Sequence, residues 1–246
     1  MLSSTRFGFS AAGGGGEIDP YFSSVSILLH FNDTDGSTNI TDSGPNGKII
    51  TVQGSAEIDT AQSKFGGSSL MVPGGTGDGL QIADDDIFEF GSGDFTLETF
   101  IRFTSLPSSS TYQMIAAKGN FSGSQRGWLW GLYNDGGTYK MLLAYTTTGS
   151  TFTLTYSSGL SISINTWYHF AATVSSGTAR YFVDGIQYGS NSFGTIFNGS
   201  DNLWICTRDS STAQDVYGHI DDLRITKGVS RYNTSFIVTT SQFPDK

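Results

Sequence analysis

The chain has 246 residues, 32 of them Gly, with 13% aromatic and only 14% charged residues and a net charge of −9. The aromatic content excludes a disordered chain, and the length suits one large all-β domain that buries its core without staples. The acidic balance, with no basic run anywhere, excludes nucleic acid as a partner, because phosphate binding needs clustered Lys and Arg.

In chain order, residues 1–20 stand apart. Arg6, Phe7 and Phe9 form a short sticky segment, and Ala11-Ala12-Gly13-Gly14-Gly15-Gly16 has the composition of a flexible linker. The expectation is an N-terminal arm whose Arg6, Phe7 and Phe9 dock into a partner, set against a merely frayed terminus. No basic segment followed by an apolar one marks a secretory leader there. No apolar run reaches the roughly 20 residues of a membrane-spanning helix, so no membrane insertion is expected. Without a leader, the Asn-x-Ser/Thr triplets at Asn32, Asn39, Asn120, Asn198 and Asn233 read as unmodified.

From Tyr21 onward strands and turns alternate, and residues 21–246 read as one domain. Strands are predicted at 25–31, 48–52, 68–72, 79–82, 95–103, 114–118, 127–133, 141–145 and 152–156. Phe95–Phe103 alternates with period two, which predicts one buried and one polar face. Asp84-Asp85-Asp86-Ile87-Phe88 suggests one helical turn, and its acidic cluster reads as a solvated loop rather than a metal site. Asn165–Val174 and Ala179–Ile186 form further strands, the second ending at Asp184-Gly185, a two-residue hairpin signal because such turns need positive φ. Tyr217–Thr226 closes the series. The regular spacing predicts a two-sheet antiparallel β-sandwich of jelly-roll type.

Chemistry is harder to place. The single cysteine, Cys206, reads as a small buried hydrophobe. His30, His169 and His219 sit in strand patterns and give no zinc spacing, and no Gly-x-Ser-x-Gly elbow supports a nucleophilic serine. Asn32-Asp33-Thr34-Asp35-Gly36 offers closely spaced oxygens of the kind Ca²⁺ takes, although the bidentate Glu of an EF-hand is missing. Trp128 and Trp130 share a parity and so point to one face. With Tyr133, Tyr139 and Tyr145 they are candidate sugar-stacking residues, against core filling as the alternative.

The order of motifs resembles a known family. Asp42-Ser43-Gly44-Pro45-Asn46-Gly47, Phe65-Gly66-Gly67-Ser68-Ser69-Leu70, Gly93-Asp94-Phe95-Thr96-Leu97-Glu98, Trp167-Tyr168-His169-Phe170, Val183-Asp184-Gly185 and Ile220-Asp221-Asp222-Leu223-Arg224-Ile225 together resemble the concanavalin A-like lectin/glucanase superfamily, in its laminin-G/pentraxin-like branch. The ending Arg224–Tyr232 and the Arg-Phe-Gly-Phe start are similar to versions found in bacteriophage structural proteins. The resemblance implies a structural Ca²⁺ joining the early loop (Asp33, Asp35, Asp42) to Asp221 and Asp222. The alternative makes Asp33 and Asp42 turn residues and pairs Asp222 with Arg224 or Arg180. It also implies a non-enzymatic virion protein, a decoration, head-fibre or tail-fibre component on the particle surface. Its partners would be other virion proteins through residues 1–20 and host surface glycans, with a homo-oligomer as the symmetric form. The second reading is a Ca²⁺-dependent lectin domain of a bacterial or viral surface protein. A glycoside hydrolase comes third, because Glu57-Ile58-Asp59-Thr60-Ala61-Gln62 ends in Gln62, which cannot act as general acid.

Overall fold

The computed structural model describes residues 18–119, 123–211 and 213–246. Among them fifteen strands follow in chain order. They are β1 (Val25–Leu29), β2 (Ile50–Gln53), β3 (Glu57–Asp59), β4 (Ser69–Val72), β5 (Gly79–Ile82), β6 (Phe95–Phe103), β7 (Tyr112–Lys118) and β8 (Trp128–Asp135). Then come β9 (Thr138–Tyr145), β10 (Thr153–Tyr156), β11 (Trp167–Ser175), β12 (Thr178–Val183), β13 (Ile186–Ser192), β14 (Leu203–Ile205) and β15 (Gly218–Lys227). They build two antiparallel sheets. The eight-stranded sheet runs β13-β12-β11-β6-β15-β4-β3 with β1 also on β15, and the seven-stranded sheet runs β10-β9-β8-β7-β14-β5-β2. One large apolar core fills the space between them, with Trp128, Trp130, Leu143, Phe95, Leu97, Phe170 and Leu223 all buried.

The predicted all-β sandwich is what the chain forms. Two differences have clear causes. The Glu57–Asp59 stretch, absent from the predicted strands, is the edge strand β3, because Ile58 buries its side chain between two half-exposed acidic neighbours. Strand β6 is buried on both faces apart from Arg102. Its outward Glu98 and Phe100 lie under the chain that follows β15. Asp85 does cap a single 3₁₀ turn, Asp86–Phe88, by accepting from the Ile87 N–H at 3.0 Å.

Strand β15 reverses its alternation at a β-bulge between Asp221 and Arg224, where Asp222 has φ 53°. The extra residue turns Leu223 inward to the core and leaves both Asp221 and Arg224 on the outer side of the sheet. Arg224 then meets Glu98 at 2.9 Å and Asp19 at 3.0 Å, and Arg231 meets Asp19 at 2.7 Å. His169 lies 3.3 Å from Glu98, and the Tyr232 hydroxyl donates to Glu98 at 2.8 Å. Asp19 is thus part of the packed sandwich rather than of the arm.

Asp184 (φ 48°) and Gly185 (φ 75°) form the expected turn between β12 and β13. A Cβ on Gly185 would come within 2.1 Å of the Phe236 carbonyl oxygen, so the turn is also a seat for the C-terminal segment. Gly185→Ala is expected to cost about 2–3 kcal/mol from the left-handed backbone and the overlap together. A thermal melt checks this, and a loss under about 0.5 kcal/mol, within the range of neutral surface changes, would contradict the tight seat.

Candidate functional site

The outer face of the seven-stranded sheet carries a pocket of about 330 Å³. Its floor is Met114 from β7, Leu129 from β8 and Leu142 from β9, each at most 2% exposed. Gly131 lies between Met114 and Leu142 in register, so the row has a missing side chain at its centre. A Cβ there would sit 2.4 Å from the Gln113 carbonyl oxygen, because β7 bulges between Met114 and Ala116. The bulge thus both demands Gly131 and hollows the floor.

The walls come from β7, β10 and three loops. Tyr112 stacks on Tyr133 with centroids 4.5 Å apart, and its hydroxyl lies 3.2 Å from that of Tyr156. Burial first, then the Tyr112 hydroxyl, pushes the Tyr156 phenol well above its ordinary range, so this corner stays neutral. Phe152 and Leu154 form the opposite wall, and Leu154 is 44% exposed at the rim. Arg126 and Arg208 also face the pocket. The Arg126 guanidinium donates to the Ser150 carbonyl, and Arg208 donates to Gln214 Oε1 at 3.0 Å. The Met114 N–H in turn donates to the Gln214 carbonyl at 2.8 Å, which sews the Arg208 loop to β7. Burial, opposed by Asp209 and reinforced by Arg126, lowers the pKa of Arg208 from its usual value. Among the described residues, no Asp or Glu lines the pocket, in a chain with a net charge of −9.

Four of the five aromatic candidates lie elsewhere. Trp128 and Trp130 are fully buried between the sheets, and the Trp128 indole N–H donates to the Phe88 carbonyl at 3.1 Å. Tyr139 and Tyr145 pack on that same inner core. Strands β8 and β9 are apolar on both faces, so shared parity does not reveal which face is inner. Tyr133 alone is on the pocket's side, as the buttress behind Tyr112. Tyr112, Phe152, Arg126 and Arg208 were missed by sequence reasoning, since each lies at a strand end or in a loop. The arm residues Arg6, Phe7 and Phe9 lie outside the described residues.

The five acidic candidates do not gather. Asp42 accepts from the Leu28, Gly44 and Lys48 N–H groups at 3.1, 2.8 and 2.7 Å. Asp35 holds Thr60, and Asp33 holds the Thr41 hydroxyl at 3.3 Å. Asp221 accepts from the Lys64 and Phe65 N–H groups, and Asp222 meets His30 Nδ1 at 2.5 Å and the Phe243 N–H at 2.6 Å. Asp222 therefore pairs with His30 and not with Arg224 or Arg180. Donors already aimed at these oxygens would repel a cation, so the set does not fit the expected Ca²⁺. Among the described residues, no three His, Cys, Asp or Glu side chains come together in a group that could hold a metal ion. Burial first, and then Asp222, raises the Asp221 carboxyl to about 7. Glu57 and Asp59 sit on β3 at the edge of the other sheet, away from the pocket. Cys206 is buried, and burial pushes its thiol up.

A model of the concanavalin A-like lectin/glucanases superfamily, the Laminin_G_3 family, matches residues 74–230. The chain belongs to this superfamily. Comparison with the curated proteins finds no match. Among solved structures, the chain is similar to the binding domain of Paraclostridial Mosquitocidal Protein 1, with a TM-score of 0.64 and 15% identity over 85% of this chain and 50% of that one. It is also similar to domain 4 of AbnA, a GH43 extracellular arabinanase from Geobacillus stearothermophilus, in complex with arabinotriose, with a TM-score of 0.61 and 15% identity over 83% of this chain and 93% of that one. A structure of botulinum neurotoxin type C, whose cell entry depends on two ganglioside molecules, gives a TM-score of 0.62 and 12% identity over 85% of this chain and 49% of that one. The superfamily member described here spans about half the length of these two toxin structures. At such identities the likeness is one of fold, and the fold is a lectin-like sandwich shared with toxin binding domains and a domain held with a sugar.

Proposed function

We propose that this chain is a non-catalytic carbohydrate-binding module displayed on a surface, with the pocket over Met114, Leu129 and Leu142 as its ligand site. The observation that carries the reading is that pocket's make-up. It has an apolar floor, aromatic walls from Tyr112 and Phe152, and amide and guanidinium donors at its edge. Sugar rings present C–H faces to aromatic side chains and hydroxyls to surrounding donors, which is the complement of this lining. Glycoside hydrolysis needs two carboxyl groups flanking the bond, and the lining supplies none, which favours binding over catalysis. The solved structures held with arabinotriose, or dependent on gangliosides, support the ligand class by analogy of fold alone.

The bacteriophage setting belongs to the same proposal as its context: the sandwich faces outward and the residues ahead of Asp19 join it to another virion protein. Its support is the resemblance of the chain's start and of Arg224–Tyr232. Arg224, Arg231 and Tyr232 have a sufficient role in the buried ion cluster, so the start of the chain carries more of that reading. The test is a glycan array with the full chain and its Leu154→Glu variant, which puts a charge at the exposed rim without touching the core. The account expects glycan binding that falls tenfold or more in the variant and is unchanged by chelator. Binding that survives Leu154→Glu, or that vanishes with chelator, would contradict it.

A further inference from the structure

We infer that the pocket selects saccharides carrying an N-acetyl group, with the acetyl methyl on the floor of Met114, Leu129 and Leu142 and the acetyl carbonyl accepting from the Gln214 amide. This deepens the proposed function and rests on the pocket being the sugar site. The floor decides what can reach it. Its three side chains are at most 2% exposed, whereas Leu154 at the rim is 44% exposed. The pocket therefore narrows toward its floor. A methyl-sized group fits there, while a sugar ring stays higher, against Tyr112, Phe152 and Leu154. A hydroxyl or hydroxymethyl pushed down to the floor would lose its water and gain no partner, because the floor offers only the weak thioether acceptor of Met114. A methyl group loses nothing there and gains from leaving water.

Gln214 supplies the polar half of the recognition. Its backbone carbonyl accepts from the Met114 N–H at 2.8 Å, which sets Gln214 on the wall beside the floor. Its side-chain Oε1 accepts from the Arg208 guanidinium at 3.0 Å. A guanidinium has donors only, so this bond fixes which end of the amide is oxygen and leaves Nε2 as the donor end. An acetyl group carries its methyl and its carbonyl oxygen on one carbon. It therefore needs an apolar seat and an N–H donor side by side, which is the arrangement Met114 and Gln214 make. A deoxy sugar has the methyl without a carbonyl next to it, and a plain hexose has neither. A volume of about 330 Å³ is at the small end of binding pockets and suits one substituted ring rather than an extended chain.

The test varies the ligand and leaves the protein intact. NMR titrations of the full chain would compare the methyl glycosides of N-acetylglucosamine and N-acetylgalactosamine with those of glucose, galactose and fucose. At least one N-acetyl sugar is expected to bind about tenfold or more tightly than its parent hexose, the range that one added apolar group gives in a fitted pocket. Its acetyl methyl is expected to show intermolecular NOEs to the methyl groups of Met114, Leu129 or Leu142. Equal binding of the N-acetyl sugars and their parent hexoses, tighter binding of fucose than of either, or an acetyl methyl without an NOE to the floor would overturn the inference. If the bound sugar still shifts those floor methyl groups, the pocket stays as a sugar site. Failure of all five glycosides to bind would overturn the inference. Binding of any of them that leaves the methyl groups of Met114, Leu129, Leu142 and Leu154 unshifted would overturn the pocket itself.

Discussion

Replacing Arg224 with Met is expected to destabilise the sandwich by about 3–5 kcal/mol, lowering the melting temperature by about 10 °C. Arg224 is 5% exposed and bridges two carboxylates that do not otherwise touch solvent, Glu98 on β6 and Asp19 ahead of β1. Burial alone would raise the Glu98 carboxyl. Arg224, followed by His169 and Arg231, overcomes that and brings it down to about 2. Losing Arg224 leaves Glu98 buried with only its remaining partners, which is why truncating one side costs more than the pair itself contributes. Glu98→Leu/Arg224→Met, which removes the main charge couple together, is expected to recover most of the loss. The guanidinium also lies 4.0 Å over the Phe243 ring, so the single variant loosens the C-terminal segment as well. A melt in which Arg224→Met stays within 1 kcal/mol of wild type would show that the cluster is not what seals this face.

Stability is expected to peak near pH 4 and to decline on both sides. Glu98 has a folded pKa below its unfolded value, so its contribution is present above about 4.5 and is lost as pH falls toward 2. Asp221 and Asp215 behave oppositely. Burial raises them to about 7 and about 6, so their contribution is full below about 4 and is lost progressively from there up to those values. The Asp221 carboxyl is completely buried, with Oδ2 held by two backbone N–H groups and Oδ1 sealed without a partner. Between pH 5 and pH 8 its ionisation costs at most about 3 kcal/mol, a fall of roughly 6–12 °C. Asp221→Asn keeps the shape and removes the titration, so its melting temperature is expected to change much less between pH 5 and pH 8. A wild-type protein more stable at pH 8 than at pH 5 would refute the assignment.

Most of the fold was legible because its periodicities are local. The nine-residue span of β6 and the Asp184-Gly185 turn could be read from residues that are neighbours in sequence. What escaped is what depends on the far side of a sheet. Glu98 looks like an exposed strand residue until the segment from Tyr232 to Phe243 is laid over it. Asp221 and Asp222 look like paired ligands until the bulge separates their oxygens among Lys64, Phe65, His30 and Phe243. The site was mislocated for a related reason. Trp128 and Trp130 announce themselves by size, and size suits the core as well as a sugar platform. The floor of the pocket is instead built from Met114, Leu129 and Leu142, ordinary apolar residues made distinctive by the gap at Gly131 and by two arginines distant in sequence.

The most direct measurement is a methyl and indole NMR titration of the full chain with a saccharide that binds. The pocket carries its own probes in the methyl groups of Met114, Leu129, Leu142 and Leu154, while Trp128 and Trp130 report on the core behind the same sheet. The account predicts concerted shifts at the four methyl-bearing residues with the two indoles unmoved. Shifts that centre on residues of the eight-stranded sheet, or that leave those four methyl groups in place while the sugar binds, would contradict it.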